Sequence, residues 1–306
     1  MKCDRCGSDA AVFVRHSGAH LCPGHFTAYV ERKIKKEVRR QVRLSRGEKI
    51  AVAVSGGKDS MVALSVLNDL FGERNGISVE CVTVDEGIDG YRPGSIDVVR
   101  GFCSGKGIPL RVLSFEETYG LTLDEMVPHA GEKTPCTYCG VFRRKCLNIL
   151  AHEAGADYVA TGHNLDDMSQ SVMMNFVRGD VARLARLGPH STPIEGMVPR
   201  LMPLRTVLEK ESVLYAMFSG IPFHDGRCPY WEAALRNQYR EVVDSLDDKT
   251  PGIKFSILSS YDTLYPLIKG GGTVDTNVCA CGERCIGEEC QACVLLAQLR
   301  ERVRNP

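Results

Sequence analysis

The sequence lacks the features of a membrane-spanning, secreted or disordered protein. No uninterrupted apolar run approaches the roughly 20 residues that a membrane span needs, and no apolar signal region follows Met1. There is no low-complexity tract or internal repeat, and a hydrophobic content of 43% is ordinary for a folded protein. We therefore expect a cytosolic, globular protein with no membrane association.

The sequence also lacks net charge, because its 38 basic residues equal its 38 acidic residues. Bulk electrostatics therefore gives no reason to predict nucleic-acid binding, and any RNA-binding surface must be local. The strongest local candidate is the segment 32–46, where eight basic residues accompany one acid, Glu37. Such a stripe suits phosphate groups, although a solvated helix face explains it nearly as well.

Cysteine, by contrast, is abundant. Fourteen cysteines in 306 residues would indicate disulfides in a small secreted domain, but clustered cysteines in an intracellular enzyme more often bind metal or do redox chemistry. The clusters divide the chain into four predicted parts. These are an N-terminal zinc knuckle (residues 1–26), a basic connector helix (27–47), a catalytic domain with a helical C-terminal part (48–269), and a C-terminal zinc knuckle and helix (270–306).

The long middle of the chain alternates strand and helix patterns. Strands separated by helices indicate the α/β class, with a doubly wound parallel sheet covered on both faces. The ligands of such sheets bind beyond the carboxyl ends of the strands. The predicted strands are residues 49–54, 77–84, 110–115 and 158–161, and the predicted helices are residues 26–46, 60–71, 139–154, 209–218, 231–246 and 252–264.

A glycine loop directly after the first strand is the clearest functional motif. A strand, two glycines and a helix start together make a phosphate site, because glycine permits close approach and free amides face the anion. The order differs from that of a Walker loop. Asp59 would repel phosphates unless it held a cation, which predicts Mg²⁺, whereas the plainer alternative is a tight turn with an aspartate near a helix start. The loop residues are Ser55, Gly56, Gly57, Lys58, Asp59 and Ser60.

A second polar segment, residues 161–167, also follows a predicted strand and begins a predicted helix. We therefore expect it to lie on the same rim of the sheet as the glycine loop. The alternative is that its two aspartates, Asp166 and Asp167, only cap the helix.

Both ends of the chain carry zinc-type spacing. Near the start, a C-x2-C pair and a C-x2-H pair are separated by fifteen residues, the arrangement of a four-coordinate structural zinc site. The tail has five cysteines for a site that needs four ligands. We expect one zinc ion on Cys3, Cys6, Cys22 and His25, and a second on four of the five tail cysteines, which are Cys279, Cys281, Cys285, Cys290 and Cys293.

Three further cysteines lie in the predicted catalytic domain. Cys136 and Cys139 form a C-x2-C pair, and Cys228 follows far downstream. Three thiolates without a fourth partner suit an iron-sulfur cluster with one open iron, which could hold hydrosulfide. A redox pair carrying persulfide and an inert buried pair are the alternatives. We predict that Cys81, Cys103 and Cys146 are core residues.

Residues 55–60 match SGGxDS and resemble the PP-loop ATP pyrophosphatase superfamily, whose fold is adenine nucleotide α-hydrolase-like. The resemblance implies that ATP is split between its α and β phosphates and that a carbonyl oxygen is adenylated and leaves with AMP. It also implies that ATP contacts Ala53, Lys58, Asp59, Val84, Arg143, Gly162 and Asp167.

All the motifs together, in order over nearly the whole chain, resemble the tRNA uridine 2-thiolation enzymes of the TtuA and NcsA type. The tail pattern of that family aligns with Cys281, Cys290 and Cys293, which leaves Cys279 or Cys285 as the fourth ligand, and we favour Cys279. Residues 136–144 and 178–184 look closer to the wobble-uridine branch than to the T-loop branch.

The reaction implied by this resemblance begins when the C2 oxygen of a tRNA uridine is adenylated near Lys58 and Asp59. Sulfide held at a [4Fe-4S] cluster then attacks C2, and AMP departs. The catalytic residues would be Lys58, Asp59, Cys136, Cys139 and Cys228. The resemblance further implies a homodimer and a sulfur donor that is a thiocarboxylated ubiquitin-like protein or free sulfide.

Several other functions fit part of the sequence. The same chemistry could act on a T-loop uridine, or a persulfide relay could replace the cluster. A PP-loop amide or lysidine-type synthetase would use the same ATP chemistry with a nitrogen nucleophile, but it would have no use for the three cysteines. A non-catalytic RNA-binding zinc protein with a retained nucleotide fold belongs to a different class.

Overall fold

A computed structural model describes residues 1–72, 76–188, 196–270 and 277–304. None of the described helices is long and apolar enough to cross a membrane. The strands are β1 (Val12–Val14), β2 (Ala19–Leu21), β3 (Lys49–Ala53), β4 (Ser78–Asp85), β5 (Leu110–Ser114), β6 (Tyr158–Thr161), β7 (Arg200–Leu201), β8 (Asn277–Val278) and β9 (Arg284–Cys285). The helices are α1 (Pro23–Gln41), α2 (Lys58–Phe71), α3 (Arg92–Lys106), α4 (Phe115–Tyr119), α5 (Leu123–Met126), α6 (Pro135–Glu153), α7 (Leu165–Val177), α8 (Val181–Ala185), α9 (Glu209–Phe218), α10 (Arg236–Lys249), α11 (Ile253–Gly270) and α12 (Gln291–Arg304).

The central sheet has five parallel strands in the order β5-β4-β3-β6-β7. The chain builds outward from β3 to β4 and β5, then returns to the other side of β3 to place β6 and β7. The winding direction therefore reverses between β3 and β6. In a sheet of this type a crevice opens beyond the carboxyl ends of the two strands at that reversal. The glycine loop follows β3 and the 161–167 segment follows β6, so both motifs lie at this crevice.

Alternate side chains on the strands separate two hydrophobic cores. Ile50 and Val52 of β3 face a core built with α1, α2 and α3, whereas Ala51 faces the core built with α6 and α12. This alternation confirms the predicted doubly wound α/β fold, since a sheet covered on both faces has no polar side. A third, smaller core joins α7, α8 and α11.

The predicted connector helix is confirmed as α1, although it ends earlier than expected. The spacing of four that indicates this helix runs through Val30, Ile34, Val38 and Val42, and the first three are buried, together with Phe26. The helix ends at Gln41, because Val42 adopts an extended backbone with φ of −150°, so residues 42–46 are not helical.

Part of the basic stripe on α1 is engaged inside the protein. The Lys33 ammonium lies 2.6 Å from Glu211, and Arg40 pairs with Glu37 at 3.0 Å and with Asp262 at 2.9 Å. These contacts attach α1 to α9 and α11. At these two positions the stripe has a structural role.

Two helical segments differ from the sequence expectation. The predicted helix 231–246 is a short 3-10 turn, Trp231–Ala233, followed by α10. Helix α3 carries three glycines, which obscured its pattern, yet Ile96, Val99 and Cys103 form its buried stripe at a spacing of three and four. Cys81, Cys103 and Cys146 are all buried, as predicted.

We predict that α1 stabilises the fold through its apolar face. Ile34 is fully buried in the core that covers one face of the sheet, so Ile34→Ala should lower the free energy of unfolding by about 2 to 5 kcal/mol. The exposed Arg39 on the same helix provides the control, and Arg39→Ala should change it by less than about 0.5 kcal/mol. Urea unfolding measures both values. Equal effects of the two variants would contradict a structural role for this face.

Candidate active site and metal centres

The glycine loop after β3 is shaped by close backbone contacts. Gly56 has a φ of +85°, and a Cβ at this position would lie 2.5 Å from the carbonyl oxygen of Ser95. The Ser60 hydroxyl donates to the Gly57 carbonyl at 2.8 Å and accepts from the Ser55 amide at 3.1 Å. Helix α2 begins at Lys58, earlier than predicted, so its positive dipole end is directed at the loop.

Lys58 and Asp59 provide a positive and a negative group at this loop. The Lys58 ammonium lies 2.8 Å from Glu209 and 3.2 Å from Asp59. Burial raises the pKa of Asp59, and the Lys58 charge opposes that shift. One oxygen of the Asp59 carboxylate, Oδ1, is buried without a hydrogen-bond donor among the described residues. Such an oxygen fits a Mg²⁺ ligand, since hard cations take carboxylate oxygens.

The 161–167 segment touches the glycine loop directly. A Cβ on Gly162 would lie 2.8 Å from the amide nitrogen and 2.9 Å from the Cα of Ser60. Glycine is therefore required for β6 and α2 to approach this closely. The two predicted motifs meet at the carboxyl edge of the sheet, as expected.

The structure gives the two aspartates of this segment structural partners. Asn164 caps α7, and the Asp167 carboxylate accepts a hydrogen bond from the Asn164 amide at 3.3 Å, which completes a capping box. Asp167 also pairs with Arg236 at 3.1 Å. Asp166 accepts from the Glu209 amide at 2.7 Å and from Lys254 at 2.5 Å. The capping alternative thus describes Asp167, whose contact with ATP stays a prediction.

The three catalytic-domain cysteines lie at one end of α6. Cys136 and Cys139 occupy its first turns, and the Cys136 sulfur lies 3.7 Å from the Tyr230 carbonyl, two residues after Cys228. Cys228 reaches this position because its segment crosses the glycine loop, where the His224 amide donates to the Gly56 carbonyl at 2.9 Å. The topology therefore brings together residues that are about ninety positions apart in sequence.

Burial disfavours ionised thiols at this site in the absence of a cation. It raises the pKa of Cys139 to about 11, against the lowering effect of the Arg143 charge. Burial also raises the pKa of Cys136, and the Cys228 charge adds to that shift. A bound metal would provide the positive charge that thiolates need. These three sulfurs do not all lie within 4.8 Å of one another, unlike the terminal groups described below. A wider spacing suits thiolates on three different irons.

A buried ionic bridge joins the cysteines to the glycine loop. Arg143 donates to the Cys139 sulfur at 2.8 Å and pairs with Glu86 at 2.5 Å. Glu86 also pairs with Arg92 at 2.6 Å, and Arg92 donates to the Ser55 carbonyl at 2.8 Å. Glu86 and Arg92 are missed by motif-based reasoning. The sequence feature that could have identified Glu86 as a site residue is its position directly after the carboxyl end of β4, where ligands of parallel sheets bind.

Val84 and Ala53 were expected to contact ATP. Val84 is buried near the end of β4, and its carbonyl accepts a hydrogen bond from Arg92. Ala53 is the last residue of β3 and is partly buried. Arg143, a third expected ATP contact, is paired with Cys139 and Glu86. Contact of these three residues with ATP stays a prediction.

The N-terminal group has the dimensions of a tetrahedral metal site. Cys3, Cys6, Cys22 and His25 place their ligand atoms within 4.8 Å of one another. The Cys22 sulfur lies 3.2 Å from the His25 Nδ1 and 3.9 Å from the Cys6 sulfur, close to the ~3.8 Å expected between ligands that share one zinc ion. The His25 amide lowers the pKa of Cys22 to about 7, which favours the thiolate that binds metal.

The tail group consists of Cys279, Cys281, Cys290 and Cys293, again within 4.8 Å. The Cys279 and Cys293 sulfurs are 3.8 Å apart, and those of Cys281 and Cys290 are 3.6 Å apart. The Cys281 and Cys290 amides lower the pKa of Cys279 to about 6, whereas burial and the neighbouring thiols raise that of Cys293. Cys285 lies outside the group and contacts the Gly287 carbonyl at 3.2 Å.

We predict that Gly162→Ala weakens ATP binding by about 10-fold or more, because even 1.4 kcal/mol of strain in the loop has that effect. The added Cβ would overlap the Ser60 backbone and displace the first turn of α2. Gly101→Ala is the matched control, since a Cβ there meets nothing within 4 Å and should leave affinity unchanged. Titration calorimetry with ATP compares the two. An unaltered affinity in Gly162→Ala would contradict the close approach.

We predict that Cys281→Ser lowers the bound metal by about one equivalent per chain, since a structural site needs all four ligands. Cys285→Ser should retain the full metal content, because Cys285 lies outside the tail group. Elemental analysis by mass spectrometry of the two purified variants provides the measurement. Loss of metal from Cys285→Ser, with Cys281→Ser unaffected, would reverse the ligand assignment.

Comparison with known proteins agrees with this geometry. Residues 27–246 match the PP-loop domain family, and residues 2–27 match the N-terminal LIM domain of the 2-thiouridine synthetase TtuA. The chain is 36% identical to the tRNA 2-thiolation protein NcsA of Haloferax volcanii over 98% of its length and 99% of that relative. It is 38% identical to the cytoplasmic tRNA 2-thiolation protein 1 of Drosophila ananassae over 96% of its length and 87% of that relative.

The fold also matches a solved structure, the U34-tRNA thiolase NcsA from Methanococcus maripaludis with its [4Fe-4S] cluster. The TM-score is 0.83 at 35% identity, over 96% of this chain and 95% of that one. A domain match over most of the chain and full-length relatives above 30% identity agree with the motifs and with the ionic bridge between the glycine loop and Cys139. The chain belongs to the TtuA/NcsA-type family of PP-loop tRNA 2-thiolation proteins.

Proposed function

We propose that this chain is an ATP-dependent tRNA-uridine 2-sulfurtransferase. The observation that carries the proposal is the continuous bridge from the glycine loop through Arg92, Glu86 and Arg143 to Cys139. Activation of an oxygen and delivery of a sulfur must occur at the same carbon, so two adjacent sites on one rim suit the reaction. The names of the relatives, which refer to tRNA 2-thiolation, support the choice of substrate.

The first half of the proposed reaction uses the glycine loop. The C2 oxygen of the uridine attacks the α-phosphate of ATP, and pyrophosphate leaves. Lys58 and the start of α2 provide positive charge for the phosphates. Asp59 would hold Mg²⁺ through its unpaired carboxylate oxygen, which would explain how a carboxylate can lie beside phosphates without repelling them.

The second half uses the three cysteines. A [4Fe-4S] cluster bound at these residues would supply hydrosulfide as the nucleophile. Cys136, Cys139 and Cys228 would hold the cluster, and the hydrogen bond from Arg143 stabilises the sulfur of Cys139 as a thiolate. Sulfide adds to C2, the C2–O bond breaks, and AMP departs with the oxygen.

The finer assignments extend the same proposal. We assign Zn²⁺ to the two terminal groups, because four thiolate or imidazole ligands at tetrahedral spacing suit that ion. We assign the wobble uridine as the target, a choice supported by residues 136–144 and 178–184 and by the solved relative described as a U34-tRNA thiolase. The proposal also includes a homodimer and a cytosolic location. The sulfur donor in this proposal is a thiocarboxylated ubiquitin-like protein or free sulfide.

We predict that Asp59→Asn and Cys228→Ala block different halves of the reaction. In an anaerobic assay with tRNA, ATP and sulfide, Asp59→Asn should lower pyrophosphate release by at least about 100-fold, because a metal ligand at the phosphates is lost. Cys228→Ala should bind ATP with unchanged affinity and form no detectable thiouridine. Cys285→Ser is the control and should retain both activities.

Mass spectrometry of nuclease fragments measures thiouridine and locates it in the tRNA. Thiouridine at the wobble position supports the proposed target, and thiouridine in the T-loop overturns it. Full thiouridine formation by Cys228→Ala would exclude the three-cysteine sulfur site. Pyrophosphate release without any thiouridine, even in the intact protein, would favour a nitrogen-transfer enzyme.

A further inference from the structure

A ridge of arginines lies beside the three-cysteine site on the outer side of α6. Asn148 donates to the Gly196 carbonyl at 3.0 Å and accepts from the Val198 amide at 3.3 Å, and the ring of His152 contacts the same Gly196 carbonyl at 3.5 Å. The two segments therefore run in opposite directions: one turn back along the helix, from His152 to Asn148, corresponds to two residues forward in the neighbouring segment, from Gly196 to Val198. Continued by one step, this register places Arg200 next to Arg144.

The charges around Arg144 have the same sign. The groups that most lower its pKa, after burial itself, are Arg200, Arg143, Arg183 and Arg186. Two acidic residues lie among them: Arg183 pairs with Asp180 at 3.2 Å on an exposed surface, and Glu283 is the carboxylate that acts on Arg200. Like charges at close range are unfavourable unless an anion joins them. Because the whole chain carries no net charge, this excess is a local feature.

An exposed aromatic ring lies at the other end of the same site. Trp231 is 42% exposed, and its amide donates to the Cys228 carbonyl at 3.0 Å. The Arg227 guanidinium lies over the Trp231 ring at 5.1 Å. Arg144 follows Cys136 by eight positions on α6, about 12 Å along the helix axis. A short stretch of single-stranded nucleic acid can span that distance.

We propose that an unpaired RNA loop reaches the cysteine site along this surface, with its phosphates on Arg144, Arg183 and Arg200 and one base stacked on Trp231. The inference rests on the proposed function and adds the place where the RNA binds. Guanidinium groups recognise phosphate through paired hydrogen bonds, and single-stranded RNA is held by stacking of unpaired bases on aromatic rings.

This surface is better placed than the basic stripe on α1. Helix α1 packs on the core at one face of the sheet, whereas α6, Cys139 and Cys228 pack in or against the core at the opposite face. A loop bound to α1 would therefore lie across the sheet from the sulfur site. If RNA binds along α6, substitutions on α6 should weaken RNA binding and substitutions on α1 should not. If RNA binds along α1, the reverse is expected, so each helix serves as the control for the other.

The salt dependence of RNA binding tests the phosphate contacts. The full-length holoprotein is titrated against a fluorescently labelled tRNA at several salt concentrations. For Arg144→Gln, the slope of log affinity against log salt should fall by about 0.7, the value for one phosphate contact in a single strand. Arg144→Lys should retain most of the slope because it keeps the charge. Arg39→Gln on α1 is the matched control and should bind as the unaltered protein does.

Trp231 tests the stacked base by an independent readout. It is the one tryptophan of the chain, so quenching of its emission by bound tRNA reports on this position alone. Trp231→Ala should weaken tRNA binding by about 5- to 150-fold, the range for one stacked base, without altering the salt slope. ATP affinity is measured in parallel to check that every variant is folded. If Arg144→Gln does not bind ATP normally, Arg200→Gln is used in its place.

The outcomes separate this inference from the proposed function. If the unaltered protein binds and thiolates tRNA while the Arg144 and Trp231 variants behave like Arg39→Gln, the path is wrong and the function stands. If the unaltered protein binds no tRNA at any salt concentration, both fail. If Arg144→Gln keeps its tRNA affinity and loses only the use of a protein sulfur donor, the surface takes a protein, and our assignment is overturned.

Discussion

Glu86 is a buried carboxylate held between Arg92 and Arg143, and the arrangement of the site depends on it. An isolated carboxylate in the interior would cost several kcal/mol, so Glu86 requires both guanidiniums. One of them holds the backbone of the glycine loop and the other holds the sulfur of Cys139. Two cations and one anion leave a charge of +1, which a Cys139 thiolate neutralises. Within this pairing the Arg143 charge favours the ionised sulfur and Glu86 opposes it, so burial still raises the pKa of Cys139 to about 11 and a bound cation is needed to hold the thiolate.

The sheet explains why the sulfur site and the nucleotide site lie next to each other although helices on opposite faces of the sheet carry them. Residues on alternate sides of β3 and β4 support different helices, with α2 on one face and α6 on the other. Both helices begin near the carboxyl edge of the sheet, because each follows a strand or loop that ends there. The start of α2 carries the phosphate loop and the start of α6 carries two cysteines. Only the edge of the sheet is available to both faces, so the bridge through Glu86 runs along that edge.

The sequence allowed the fold class and both loop motifs to be predicted, because these depend on local patterns. A β-branched run before Gly56 and Gly57 predicts a strand and a phosphate turn without knowledge of the rest of the chain. Glu86 and Arg92 follow no such pattern, since their importance comes from a pairing visible only when α3 is packed on β4. Helix α3 itself was missed because its glycines lower helix propensity, whereas packing of Val99 and Cys103 stabilises it. The position of Cys228 likewise depends on the contact between His224 and Gly56 across the crevice.

Lys58 shows how binding at the two sites is connected through charge. Its ammonium is paired with Glu209 and Asp59, so phosphates bound at the loop must replace at least part of this pairing. Glu209 also pairs with Arg240 at 3.4 Å, and Asp167 pairs with Arg236 at 3.1 Å. Both arginines belong to α10, which follows the turn that carries Trp231. These pairs are partly exposed and individually weak, which allows their exchange. Where nucleotide binding and ligand binding at the cysteine site both depend on the position of α10, thermodynamic reciprocity couples the two affinities.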